Sequence, residues 1–262
     1  GGRFGNSGLF KISKNSKFSN YLPSLFHFIK DHKYYSLVAT IYESESFFDI
    51  NDMLYIQNKF YLVAETADSV DANGLSFKKA LKRSNLSRNL KKAKLQGLNF
   101  SLSDQLKDLV FWHKNCHEIR INELGGKLWS FNLLKSFLES DTGKLALVKD
   151  EHNKIIGGCF ILVCTSSIEL FMMSTPQESL NLGANFILTE GIYLYAYSSG
   201  IPKINWQSSN PPSGSLHEYK LSWNAKPNKL TLLCLFNNSK LTKTDILEKH
   251  KDLFIYPFEK IK

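Results

Sequence analysis

His113 and His117 stand four residues apart in a segment whose apolar positions recur every three or four residues, so both rings fall on one helix face, an arrangement that can hold zinc. The context of such a site is missing. Lys114 occupies the place of the glutamate in an HExxH helix, no third ligand is evident, and no metal is expected. Arg120 continues the stripe, and without a metal His113 suits a hydrogen-bonded, half-buried histidine. A second concentration of chemistry lies between Lys78 and Lys94, where Lys78, Lys79, Lys82, Arg83, Arg88, Lys91, Lys92 and Lys94 occur without an acid. The chain has 33 basic and 24 acidic residues, a formal charge of +9, and without this segment the balance falls to 25 against 24. Such a local field attracts phosphate, nucleic acid or anionic lipid, although a solvated helix face has the same composition. Trp206-Gln207-Ser208-Ser209-Asn210 closes an apolar run before Pro211-Pro212. Strand ends carry specificity groups, and a tryptophan there can stack on a sugar or base; core packing is the alternative for Trp206.

The elements that position these residues follow from periodicity. At 262 residues with 43% hydrophobic and 13% aromatic content, the chain can bury one large or two small cores. Its longest apolar runs, such as 155–163 and 168–173, fall far short of the roughly 20 residues that cross a bilayer. Cys116, Cys159, Cys164 and Cys234 show no CxxC spacing, and three of them sit in apolar runs as small hydrophobes. Gly1-Gly2-Arg3 opens no secretory pattern, so a reduced, cytoplasmic protein is expected. Residues 21–29 have helical spacing, and 34–42 and 60–64 have strand composition. The polar stretch 68–74 separates an N-terminal part, 1–74, from the rest, 75–262. The basic segment follows as two helical pieces, the second capped by Ser84 or Asn85, with Leu86, Leu90 and Ala93 on one face and Gly97 as its stop. Ser103 starts the histidine-bearing helix, and Ser130 caps a shorter one. Strands at 145–149, 154–164 and 168–174 form an antiparallel meander. A loop at 175–182, a helix from Gly183 to about Ser198, a strand at 203–207, a short helix at 215–221 and one or two strands between 230 and 236 complete the order.

Four short motifs carry a resemblance. Residues 81–98, LKRSNLSRNLKKAKLQGL, resemble the "Arg, two or three residues, Asn-Ile-Arg-Lys-Ala, then Gly" signature of the Fem family, which includes non-ribosomal peptidyltransferases and acyltransferases of polysaccharide loci. The His113–Arg120 helix, Gly157-Gly158 in the central strand, and Tyr219-Lys220-Leu221-Ser222-Trp223-Asn224-Ala225 match the family's "His, then Arg" helix, its "Ile-Gly-Gly" strand and its closing "Phe-Lys, two residues, Trp-Gly-Ala", in that order. The resemblance spans about 68–230 and implies an α/β fold of the GCN5-related N-acetyltransferase type, a mixed, largely antiparallel central sheet flanked by helices. Fem proteins resemble two such units in tandem, so 1–74 is expected to be a reduced first half and 75–262 the acyltransferase domain.

The implied chemistry is acyl transfer to an amine. The acyl donor is expected between the strands at 168–174 and 203–207, with the backbone of Met172, Met173 and Ser174 offering an N–H to its carbonyl, and the helix start at Gly183, Ala184 and Asn185 facing the donor's phosphates. Lys220 faces the cleft in the resemblance, where an ammonium neutralises a phosphate or the developing oxyanion, and His217, one turn earlier, is a candidate base. Arg83, Arg88 and Lys91 are expected to meet phosphates; His113, Arg120, Trp206, Gln207 and Ser208 are expected to line the acceptor side. Coenzyme A users carry Gln or Arg, two residues, Gly, one residue, then Gly or Ala before this helix. Glu178 and Asn181 stand at the first two positions here, one repelling pyrophosphate and the other hindering close backbone approach. The expectation is therefore a donor that is not tightly bound, either aminoacyl-tRNA or acyl-coenzyme A, and a nucleotide-linked or lipid-linked amine acceptor of an envelope, glycan or peptidoglycan-type precursor. The basic helix offers a contact to tRNA or to a membrane surface. Two rival expectations are an acyl-coenzyme A-dependent transferase acting on a sugar amine, and a non-catalytic module holding RNA or anionic glycan.

Overall fold

The computed structural model describes residues 21–32, 36–41, 54–74, 76–77, 84–126, 128–208 and 214–236. The chain divides into two compact units, one of residues 1–60 with 228–262 and one of residues 61–227. Residues 61–74, which the sequence assigns to the N-terminal half, therefore group with the larger unit.

In the smaller unit, α1 (Leu22–Asp31) has a proline in its first turn and buries Leu25 and Ile29, four residues apart on one face. Strand β1 (Ser36–Ile41) pairs antiparallel with residues 231–236 near the end of the chain.

The larger unit takes in the end of β2 (Leu54–Glu65), then α2 (Thr66–Ser69), α3 (Ser84–Lys94), β3 (Asn99–Ser103), α4 (Leu106–Trp112), a π-helical turn (His113–His117), α5 (Glu118–Glu123) and α6 (Phe131–Glu139). The meander β4 (Gly143–Lys149), β5 (Ile155–Val163) and β6 (Ser167–Ser174) follows, and then α7 (Gln177–Asn181), α8 (Ala184–Ser198), β7 (Lys203–Ser208), α9 (Ser215–Ser222) and the start of β8 (Lys226–Phe236). Its strands lie in the order β2, β7, β6, β5, β4, β3. All neighbours are antiparallel except β6 and β7, which run parallel.

Alternation along the strands builds a core on each face of this sheet. Ala146, Val148, Cys159, Ile161, Ile168 and Leu170 pack with α8 and with Leu86, Leu90 and Ala93 of α3. Leu145, Leu147, Phe160 and Met172 pack with Leu109, Trp112 and Cys116, and with Leu134 and Leu138 of α6. Cys116 and Cys159 are buried free thiols, and burial pushes both up to about 12. Among the described residues no helix is long and apolar enough to cross a membrane.

Two elements depart from expectation. Residues 99–103 form strand β3, the partner of β4, so Ser103 ends a strand instead of starting a helix. Its hydroxyl still organises the helix start, accepting from the Gln105 N–H (3.1 Å) and donating to Asp108 Oδ2 (2.6 Å). The expected loop at 175–182 contains the turn α7, with Pro176 at its N-cap position. Ser130 does occupy the N-cap position of α6, but its side chain makes no capping hydrogen bond.

Candidate active site

Strands β6 and β7 share three rungs, Ser167↔Lys203, Ile168↔Ile204 and Glu169↔Asn205, and then separate, although β6 runs on to Ser174 and β7 to Ser208. Each strand has an extra residue just beyond the last shared rung. Phe160 faces Met172 while Ile161 faces Leu170, which leaves Phe171 as a bulge on β6. Against β2, Tyr61 faces Ser208 while Val63 faces Asn205, so β7 carries a bulge at Trp206 and Gln207, and Gln207 takes φ +61°. Bulges bend a strand and end its pairing, and together these two open a fork in the sheet.

Lys220 is placed at this fork by α9. It is only 6% exposed, and its Nζ donates to the carbonyl of Trp206, one residue past the last rung, at 2.8 Å. Burial lowers its pKa to about 8, since an ammonium loses hydration there. The rest of the closing motif is packing. Tyr219 Oη donates to the Asn185 carbonyl (3.0 Å) and meets Thr189 Oγ1 (3.0 Å), and Trp223 is fully buried. Trp206 belongs to the same cluster: its ring is buried and its Nε1–H donates to Tyr193 Oη at 2.9 Å, whose hydroxyl donates to the Trp223 carbonyl at 2.7 Å. The indole is thus a core residue, and what β7 presents at the fork is its backbone. His217 lies half-buried one turn before Lys220.

The far end of β6 meets the π-helical turn. Ser174 Oγ and His117 Nδ1 share a 2.8 Å hydrogen bond, both residues being essentially inaccessible. The His117 ring stacks on Trp112, centroids 5.2 Å apart and planes at 16°. Burial first, and His113 second, lower its pKa to about 4, and its Nε2 is buried without a partner among the described residues, so a second proton has nowhere to donate. His113 turns elsewhere, its Nε2 meeting the Trp129 carbonyl at 3.2 Å. The histidine pair therefore serves two separate contacts. A π turn, with its one-residue excess over α geometry, commonly accompanies a functional site.

Arg120 does not stand free in a cleft. Its Nη1 donates to Glu123 Oε2 (2.8 Å) and Gln177 Oε1 (3.3 Å), and both Glu123 oxygens accept from the Gln177 N–H at 3.1 Å. Arg120 and the Gln177 amide hold the Glu123 carboxyl below the usual carboxylate range, and the three residues tie α5 to the first residue of α7.

The segment after β6 uses its own amides. Leu180, Leu182 and Gly183 donate to the carbonyls of Pro176, Ser179 and Leu180, and Glu178 is exposed in the first turn of α7. Gly183 has φ +84°, and a Cβ there would stand 2.8 Å from the Cβ of Ala93, so glycine lets α3 close on the start of α8. Ala184 is fully buried and Asn185 partly so. Met172 packs in the α4 core and Met173 against the α8 core, which leaves their backbone as the group facing the fork.

Arg88 and Lys91 are exposed on α3, whose Lys94 pairs with Glu190 of α8 at 2.8 Å. A groove of about 300 Å³ beside this pair is lined by Leu86, Leu90, Lys91 and Lys94. Arg83, the remaining candidate of the basic segment, lies outside the described residues, as does the side chain of Ser208. The fold thus brings together Lys220, Trp206, Gln207 and the ends of β6 and β7, with Arg88 and Lys91 on a different helix.

Sequence reasoning missed Glu169, which stands on the last rung of the fork. Ser167 Oγ donates to its Oε1 and Gln207 Nε2 to its Oε2, both at 2.7 Å, and Asn205 Oδ1 accepts from the Gln207 N–H at 2.9 Å. Burial raises its pKa, against the pull of side-chain hydrogen bonds from Ser167, Gln207 and Asn205. An acid inside the run Ile168-Glu169-Leu170-Phe171-Met172 was the available signal. The Ser174–His117 pair left no such mark, being 57 residues apart in sequence.

The meander, the parallel final pair and the fork define the GCN5-related N-acetyltransferase fold. No protein-family profile matches the sequence, and no curated protein matches it. Among solved structures, FemX superposes with a TM-score of 0.61 at 11% identity over 88% of this chain and 78% of that one. L-PGS from Bacillus licheniformis gives 0.60 at 15% over 88% and 77%, and a GCN5-related N-acetyltransferase from Sphaerobacter thermophilus gives 0.50 at 11% over 85% and 69%. The chain has this fold in a Fem-like form.

Proposed function

We propose that this protein is an acyltransferase that moves an aminoacyl group onto an amine of a cell-envelope or glycan precursor. The observation that carries the reading is the buried ammonium of Lys220 at the fork. Acyl transfer to an amine builds a tetrahedral intermediate with an oxyanion, and a positive group fixed beforehand in a poorly hydrated site stabilises that charge without reorganising. Lys220 supplies it, held in direction by the Trp206 carbonyl, while the edge of β6 that parts from β7 beyond Glu169 offers backbone N–H donors to the acyl carbonyl. The attacking nitrogen loses its proton as the carbon–nitrogen bond forms, and the donor's ester oxygen leaves with a proton. Aminoacyl-tRNA is favoured over acyl-coenzyme A because the amides of Leu180, Leu182 and Gly183 are already bonded and Glu178 faces solvent beside them. The Fem-like fold supports the same choice.

Calorimetric titration of the full chain with charged tRNA, uncharged tRNA and acetyl-coenzyme A tests this reading. Preference for charged over uncharged tRNA is expected, with Lys220→Ala retaining binding and losing transfer. Saturable acetyl-coenzyme A binding with thiol release overturns the donor assignment. Silence from all three, or wild-type turnover by Lys220→Ala, overturns the catalytic reading.

A further inference from the structure

Glu169 has no part in the transfer described so far, yet the fork is built around it. Its neighbours Ile168 and Leu170 pack on the α8 side, so its side chain lies on the opposite face. Both carboxylate oxygens are fixed, by Ser167 and by Gln207, and the contact to Gln207 comes from a residue held at φ +61°. A non-glycine residue in that region is strained and persists where the surroundings enforce it, often at a ligand site. All of these donors are neutral. Among the described residues no lysine, arginine or histidine pairs with Glu169. A half-buried carboxylate without a counter-charge is unfavourable by itself, and beside the side chains of Ser167, Gln207 and Asn205 its two oxygens, with about four lone-pair sites, have room for a further donor.

We propose that Glu169 anchors the α-ammonium of the aminoacyl donor, so that the fork selects an aminoacyl group over a simple acyl group. The inference rests on the transferase reading and names its donor class. Lys220 reaches the Trp206 carbonyl from a helix packed on the α8 side, and Glu169 stands opposite Asn205, the residue before Trp206. A cation and an anion therefore flank the mouth of the fork one residue apart along β7. An aminoacyl ester presents the matching pair, a carbonyl oxygen and an ammonium on the adjacent carbon.

The test uses the full chain and two stable mimics of a charged tRNA end: 3′-amino-3′-deoxyadenosine acylated with L-alanine, and the same compound acylated with N-acetyl-L-alanine. Wild type is expected to bind the free-amine mimic at least tenfold more tightly, and Glu169→Gln, which keeps shape and hydrogen bonding, to reduce that preference below twofold with an unchanged melting curve. Equal binding of the two mimics by wild type, no binding of either, or an undiminished preference in Glu169→Gln overturns the proposal. Glucosamine bound with the same dependence on Glu169, and in place of the alanyl mimic, moves the ammonium to the acceptor and overturns the assignment to the donor. Charged tRNA bound by wild type without discrimination between the mimics sinks this inference alone; discrimination between the mimics without tRNA binding sinks the tRNA assignment alone.

Discussion

The ammonium of Lys220 sits 2.8 Å from the carbonyl oxygen of Trp206, one residue past the point where β6 stops pairing with β7. A side chain thus satisfies a backbone acceptor at the place where the sheet has parted, and a structural need and the proposed catalytic charge coincide in one group.

That coincidence has a measurable cost. The Lys220 pKa is about 8 in the folded chain against 10.5 when exposed, so between these values the unfolded chain binds more protons and stability rises with pH. Urea unfolding of wild type should show this rise from pH 8 to 10. Lys220→Met should abolish it and gain about 1–3 kcal/mol at pH 7 while losing transfer, because an apolar side chain of similar length carries no desolvation cost there. A Lys220→Met protein that is less stable at pH 7 and keeps the rise contradicts the assignment.

His117 has a signature of the same sign in a more acidic window. Its pKa is about 4 when folded against 6.5 when exposed, so the unfolded chain takes up the proton first and stability falls as pH drops from about 6.5 to 4. The fall should reach roughly 2–3 kcal/mol by the lower limit, at about 1.4 kcal/mol per pKa unit. His117→Gln should be less stable than wild type at pH 7 and lose less on acidification, as read from denaturant midpoints at pH 7 and 4.5.

Gly183→Ala distinguishes helix packing from donor binding. The new methyl must tolerate a positive φ and displace Ala93, and a loss of about 1–3 kcal/mol is expected. The double change Gly183→Ala with Ala93→Gly should recover part of it. Full loss of donor binding at unchanged stability is the outcome that refutes the packing role.

Arg120→Ala should release α7 while leaving the core intact. Hydrogen exchange should quicken at 177–181 and global stability should change by less than about 1 kcal/mol, as for ion pairs near the surface. Faster exchange throughout the sheet contradicts this local role.

Much of the scaffold was legible because burial writes a period into sequence. The run 145–174 alternates and turns at Asp150–Asn153 and Thr165–Ser167, and the meander lies there. Strand β3 was not legible, since Asn99-Phe100-Ser101-Leu102-Ser103 offers only two apolar positions and is fixed by its pairing with β4. The candidate site was read in part. Lys220 stood out through its motif, but Trp206 was open to stacking or to core packing and is core, because its Nε1–H finds Tyr193, 13 residues earlier in the chain. Glu169 was marked only as an acid inside an apolar run, its role being set by strand register, and the Ser174–His117 pair, which depends on a π turn, has no local signature in the residue types.

The bulges at Phe171 and at Trp206–Gln207 have one more consequence. Because inserted residues hold the two strands apart, the aperture exists as soon as the chain has folded, and a substrate need not prise hydrogen-bonded strands from one another to enter. Preorganisation of this kind leaves more of the intrinsic contact energy to appear as affinity. Deleting Phe171 would let β6 and β7 zip further and shut the entrance from within.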